Sequence, residues 1–248
     1  MTSTDDRLIG TPRAATVLDA ASPTSRFVRR FGFWSALGFV ILSVAYFVPL
    51  VMGFATLPSP DVPFIDPWYS MMEVLIILTA PFMVALTIAI HYWAPADRKP
   101  FTFAAVVFMG MMATVTSGVH FTVLTLSHRA DFAQLPWLTT LLTFQWPSVT
   151  YTLDILAWDV FFPLSVLCLA TAFGGSRLQS WIRMLLLASG ILAIGGLAGL
   201  FVDDMNIRNI GIVGYAVVFP VAGVLLVRLF RRRRPKEGRR SSVPLTRD

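Results

Sequence analysis

The run YSMMEVLIILTAPFMVALTIAIHYW, residues 69–93, decides the fold. It is apolar over 25 residues, with one carboxylate, Glu73, near its start and one imidazole, His91, near its end. About 20 apolar residues cross a hydrocarbon core as helix, so this stretch reads as a membrane span. Working outward, five further runs of the same kind cover 31–57, 101–127, 150–173, 181–202 and 210–230, separated by short polar breaks. The chain is 56% hydrophobic and 14% charged, well outside the soluble range of roughly half apolar and a quarter charged. The expected fold class is therefore an all-α integral membrane protein, a single six-helix bundle whose backbone groups bond within their own helices.

The breaks are informative. Residues 1–30 are rich in Ser, Thr, Asp and Arg and are expected to form a disordered cytoplasmic tail, as is the basic stretch 231–248. No signal-peptide pattern precedes the first span, which is read as uncleaved. Pro58, Pro60, Pro63 and Pro67 stiffen the first loop, which ends in Trp68 and Tyr69, an aromatic pair suited to the bilayer interface. Residues 128–149 are too many for a tight turn, and 135–144 is apolar but too short to span. It reads as a short helix in the outer interface, pinned by Trp137 and Trp146, with a re-entrant segment as the alternative.

The formal charge of +6 points to orientation rather than to nucleic acid. With both termini cytoplasmic, 18 of the 20 Lys and Arg lie inside, and only Arg129 and Arg208 outside. That asymmetry predicts a bacterial cytoplasmic (inner) membrane protein with N and C termini inside. The acids are distributed oppositely: Asp61, Asp66, Glu73, Asp131, Asp154, Asp159, Asp203 and Asp204 all fall on the outer side or in the outer half.

With about 1.5 Å of rise per residue, Glu73, His120, Asp154, Asp159 and the polar turn 203–209 occupy one level. Charged groups inside a span cost several kcal/mol unless they pair or meet water, so a shared level argues for a network or cavity. Glu73, His120 and Asp154 are the candidate catalytic acid–base residues. Thr116, Trp158, Asp159, Arg208 and Asn209 are the candidate ligand-binding residues. Helical spacing puts Thr116 and His120 on one face, and Thr150, Asp154 and Trp158 on another. Asp159 should point about 140° away from Asp154, which would keep those two acids out of one narrow site. The plainer alternative is that Arg208 neutralises one acid while hydroxyls and water satisfy the rest.

The histidines are too scattered and the lone Cys168 too isolated for a metal site, and no cofactor motif is present. His91 stands about 27 Å along the helix from Glu73 and belongs to the cytoplasmic end. Pro163 frees the carbonyl of Asp159. The strings 46–50, 160–164 and 217–221 share an aromatic-and-proline pattern, which raises an inverted three-plus-three repeat relating the first and fourth spans. Gly190, Gly195, Gly196 and Gly199 leave the fifth span a bare face, with Gly195 and Gly199 spaced for close approach by another helix, in this chain, a second copy or a partner subunit. Membrane lipids and a lipophilic ligand are the other partners implied. The functional readings are a membrane-embedded binding or catalytic protein for a lipophilic molecule, a proton- or cation-coupled transporter, and an accessory or scaffold subunit without a site.

Overall fold

The computed structural model describes residues 23–57, 65–126, 129 and 134–231. Among them every regular element is helical, and six helices are long and apolar enough to cross a membrane. They are α1 (Pro23–Thr56), α2 (Trp68–Trp93), α3 (Lys99–Leu126), α5 (Val149–Ala170), α6 (Arg177–Val202) and α7 (Met205–Arg231), with a short α4 (Pro136–Leu141) before α5. The expectations for residues 1–22, for Pro58, Pro60, Pro63, Asp61 and Asp131, and for 232–248 lie outside the described residues.

Each span packs on the next in chain order, and α1 packs on the C-terminal part of α7, closing the six into a ring. The core is apolar: Phe39 from α1, Met83 and Leu86 from α2, Met109 and Met112 from α3, Phe162 and Val166 from α5, Leu186 from α6 and Phe219 and Leu226 from α7. The exterior is apolar too. Trp34, Phe54, Phe103, Ile191 and Phe201 are all exposed, an arrangement that suits lipid rather than water around the bundle.

The helix boundaries extend the apolar runs where a cap permits. Ser176 accepts from Gln179 N–H and starts α6 four residues before the apolar run at Trp181. Asp204 accepts from Asn206 N–H at 2.9 Å and starts α7 at Met205. What reads as a polar turn over 203–209 is thus mostly the first turn of α7, and this places Arg208 on a helix. At the other end of the chain α1 begins at Pro23, so the last residues of the expected N-terminal tail are helical. The segment 171–173 turns rather than continuing α5, although Ala172 and Phe173 remain buried. The apolar stretch near 135–144 is helical only over Pro136–Leu141. Its last residue and the following loop are tied to the start of α5 by Thr150 Oγ1 donating to Leu141 O and Ser148 Oγ donating to Thr143 O.

The glycine face of α6 is used inside the chain. A Cβ at Gly196 would stand 3.0 Å from Arg208 O, and one at Gly199 2.7 Å from Asp204 O, so these two let the backbone of α7 approach. Gly190 faces Leu167 of α5, whereas Gly195 faces open space. The close approach therefore runs through Gly196 and Gly199, not through Gly195 and Gly199.

Candidate functional site

Four spans meet around one ionic network. Glu73 on α2 sits 2.7 Å through Oε2 from His120 Nδ1 on α3. The other ring nitrogen, Nε2, stands 3.5 Å from Asp154 Oδ1 on α5. Arg208 on α7 donates from Nη2 to Asp154 Oδ2 and from Nε to Asp159 Oδ2, each at 3.2 Å. Its third nitrogen, Nη1, donates to the Tyr151 hydroxyl at 3.1 Å. Three carboxylates, one imidazole and one guanidinium thus form a single chain of contacts. Side-chain exposure is 4% for Glu73 and His120, 3% for Arg208, 0% for Asp159 and 13% for Asp154, so Asp154 is its most open member.

The inclusion of Asp159 corrects the expectation that it points away from Asp154. Leu156–Phe161 is a π-helix, and Phe162 N–H donates five residues back to Ala157 O. One extra residue in the turn subtracts about 100° of rotation, so positions five apart behave as positions four apart and share a face. A second π-helix, Val213–Val218, widens the middle of α7 in the same way, with Phe219 N–H donating to Gly214 O. Both are followed by Phe-Pro, at Pro163 and Pro220. Proline alone does not explain them, because Pro49 and Pro81 lie in unbroken α-helix. The two widened segments also face one another: Trp158 packs on Tyr215 with ring centres 4.9 Å apart, and Phe162 on Phe219 at 5.1 Å. Of the three aromatic-and-proline strings, those of α5 and α7, which run the same way, thus share a local geometry that the string of α1 lacks.

Glycine completes the seat of Asp159. A Cβ at Gly211 would stand 2.7 Å from Asp159 Oδ1, so only a residue without a side chain lets this carboxylate lie against α7. His120 in turn is roofed by Phe144 from the loop after α4, ring centres 4.8 Å apart and nearly parallel. Among the described residues four buried atoms here have no hydrogen-bond partner: Thr116 Oγ1, His120 Nε2, Asp154 Oδ1 and Asp159 Oδ1.

The remaining candidates divide. Thr116 is buried one turn from His120, on the face its spacing requires. Trp158 lies between Tyr215 and Phe162 in the aromatic layer, packed on rings rather than on the ionic groups. Asn209 is exposed, turned out by the one-residue step from Arg208. Thr150 spends its hydroxyl on the α4 loop. Asp203 is exposed and Asp204 caps α7, so both are accounted for at the helix end. The plainer alternative holds in part, and more strongly than expected, because Arg208 serves two acids rather than one. Tyr151, Phe144 and Gly211 carry parts of the site that residue type alone did not reveal. Spacing could have found two of them, since Tyr151 stands three before Asp154 and Gly211 three after Arg208.

The opposite end of the bundle holds a smaller polar group, in which His91 Nδ1 meets Thr102 Oγ1 at 2.9 Å and Lys99 Nζ donates to His91 O. It shares no contact with the network above. No group of three or more His, Cys, Asp or Glu arranged to hold a metal ion occurs among the described residues. Comparison with family models, with curated proteins and with solved structures finds no match.

Proposed function

We propose that this multi-pass membrane protein holds an acid–base site for a lipophilic small molecule, with Glu73 and His120 as its working pair. The observation that carries the reading is the imidazole of His120, held at Nδ1 by Glu73 at 2.7 Å while Nε2 has no hydrogen bond of its own. A carboxylate on one ring nitrogen fixes the ring's orientation and favours the proton on that nitrogen, leaving the other free to accept one. A proton taken up at Nε2 would leave an imidazolium between Glu73 and Asp154. Asp154 is held in place by Arg208 and is the member nearest the surface. The apolar exterior suits a ligand that arrives through lipid.

The distribution of basic side chains supports placing this end outside. Arg98, Lys99, Arg177, Arg183, Arg228 and Arg231 lie toward the far ends of their spans. Arg26, Arg29 and Arg30 join them, because Gly32 meets Phe230 where α1 packs on the end of α7. Arg208 stays with the network. Single cysteines introduced in a Cys168→Ala background test the orientation. Position 98 should react with an impermeant maleimide only after the membrane is opened, and position 203 in intact cells; the reverse pattern would invert the topology.

Transport is the weaker reading, because the polar groups do not continue through the bundle. Thr87 and Ser165 donate to backbone carbonyls, and Met83, Leu86, Met109, Phe162, Val166 and Leu169 fill the core between the two polar ends. The proposal is tested by mass spectrometry of compounds that travel with gently purified protein. A discrete lipophilic compound should accompany the wild type and be lost from Asp154→Asn and Glu73→Gln. Identical bulk lipid in all three preparations would refute it.

A further inference from the structure

We infer that the ligand of this site presents a hydrogen-bond donor head, a hydroxyl or an ammonium, on an apolar body, and that anionic heads are disfavoured. The inference rests on the reading above and follows from which atoms already have partners. Arg208 already serves three partners, Nε to Asp159, Nη2 to Asp154 and Nη1 to Tyr151, with three of its five N–H groups. The N–H groups that remain lie beside Asp154 and Asp159, whose charge opposes a phosphate or carboxylate there.

The unpartnered atoms favour the opposite kind of ligand. Carboxylate oxygens only accept, and His120 Nε2 also accepts when its proton sits on Nδ1 toward Glu73. Asp159 Oδ1 lies against the α7 backbone at Gly211, which leaves Asp154 Oδ1 and His120 Nε2, both buried and facing each other at 3.5 Å, as the pair without a hydrogen bond. His120 is only 3% exposed, so bulk water does not serve that nitrogen. A hydroxyl seated against the pair donates to Asp154 Oδ1, and its oxygen accepts from Nε2 once the ring is doubly protonated. An ammonium has protons for both atoms. An anion would meet three carboxylates opposed by one guanidinium and one imidazole, and would leave the acceptors unmet.

Binding of tetradecanol, tetradecylamine and tetradecyl phosphate to the full chain, measured by native mass spectrometry and by thermal shift in the same detergent, tests this. The alcohol or the amine should bind saturably and at least about tenfold more tightly than the phosphate, the worth of one hydrogen bond to a charged group. The two donor arms separate a neutral from a cationic ligand. Asp154→Asn, which removes one negative charge and weakens the hold on Arg208, should narrow the gap. If that variant does not fold, the wild-type ranking decides alone. Phosphate binding as tightly as both donors overturns the donor-head inference while leaving the ligand site standing; no saturable binding by any of the three removes both.

Discussion

Arg208 sets one guanidinium against two carboxylates and a phenol, with its carbon 4.6 Å from the centre of the Tyr151 ring. A buried ion pair contributes little over an apolar replacement of the same shape, but removing one partner strands the other at a cost of about 3–5 kcal/mol. Arg208→Met strands Asp154 and Asp159 together, and a loss in at least that range is expected in detergent unfolding. Adding Asp159→Asn should recover part of it by removing one stranded charge. A single variant that unfolds with the wild type would mean that the network does not hold the bundle together. At this scale the sequence was legible where one helix carried the answer: four-residue spacing placed Thr116 with His120, and the common level of Glu73, His120 and Asp154 anticipated their meeting. It was silent on Phe144, because nothing in an apolar loop shows which ring it will cover. Spacing put Trp158 on the face of Asp154 and the polar turn 203–209 put Asn209 at the same level, but Trp158 packs on Tyr215 and Phe162 and Asn209 is exposed.

The helices themselves were readable as spans, but the widened turn in α5 was not. Apolar residues such as Leu156, Ala157 and Val160 accept α and π geometry alike, and the Phe-Pro that follows is a partial signal only. The extra residue can be tested by removing it. Deleting Leu156, which faces outward, leaves Asp154 and Asp159 four apart in a continuous α-helix, still on one face and with Phe162, Val166 and Leu169 in register. The shortened protein should fold and keep its ion pair, losing no more than about 1–3 kcal/mol, the usual range for a single change. In a uniform α-helix the same deletion would swing the lower half by about 100° and destroy its packing. Failure of the variant to fold would therefore argue against an absorbed residue. Two glycines, one packed and one open, give a paired test at the same scale. Gly211→Ala drives a methyl to 2.7 Å from Asp159 Oδ1 and should cost about 1–3 kcal/mol of stability. Gly195→Ala meets open space and should be neutral or gain up to about 1 kcal/mol from helix propensity. Equal effects at the two positions would show that the close approach is not a constraint.

Six spans could be counted from hydropathy, since lipid admits few alternatives to a helix, whereas their order around the bundle could not. Neighbour choice depends on shape, such as the seat of Gly196 against the α7 backbone or of Phe230 beside Gly32, and apolar sequences carry shape only weakly. The ring that results puts every member of the ionic network at one end. Beneath Asp159, the interval from Phe162 to Ala170 amounts to about 12 Å of helix, and the core along it is supplied by Met109 and Met112 from α3, Val166 and Leu169 from α5, and Phe219 and Leu226 from α7. Thr102 and Ser165 lie in that interval as well, yet their hydroxyls are committed to His91 and to backbone carbonyls. A proton leaving the network toward the other end would have to cross without a side chain to receive it, at the cost of an unpaired charge in apolar surroundings. Protein reconstituted into liposomes under an imposed pH gradient should therefore raise proton flux no more than an Asp154→Asn control does. A wild-type flux above that control would require the core to open, and the protein would then be a transporter rather than a one-sided site.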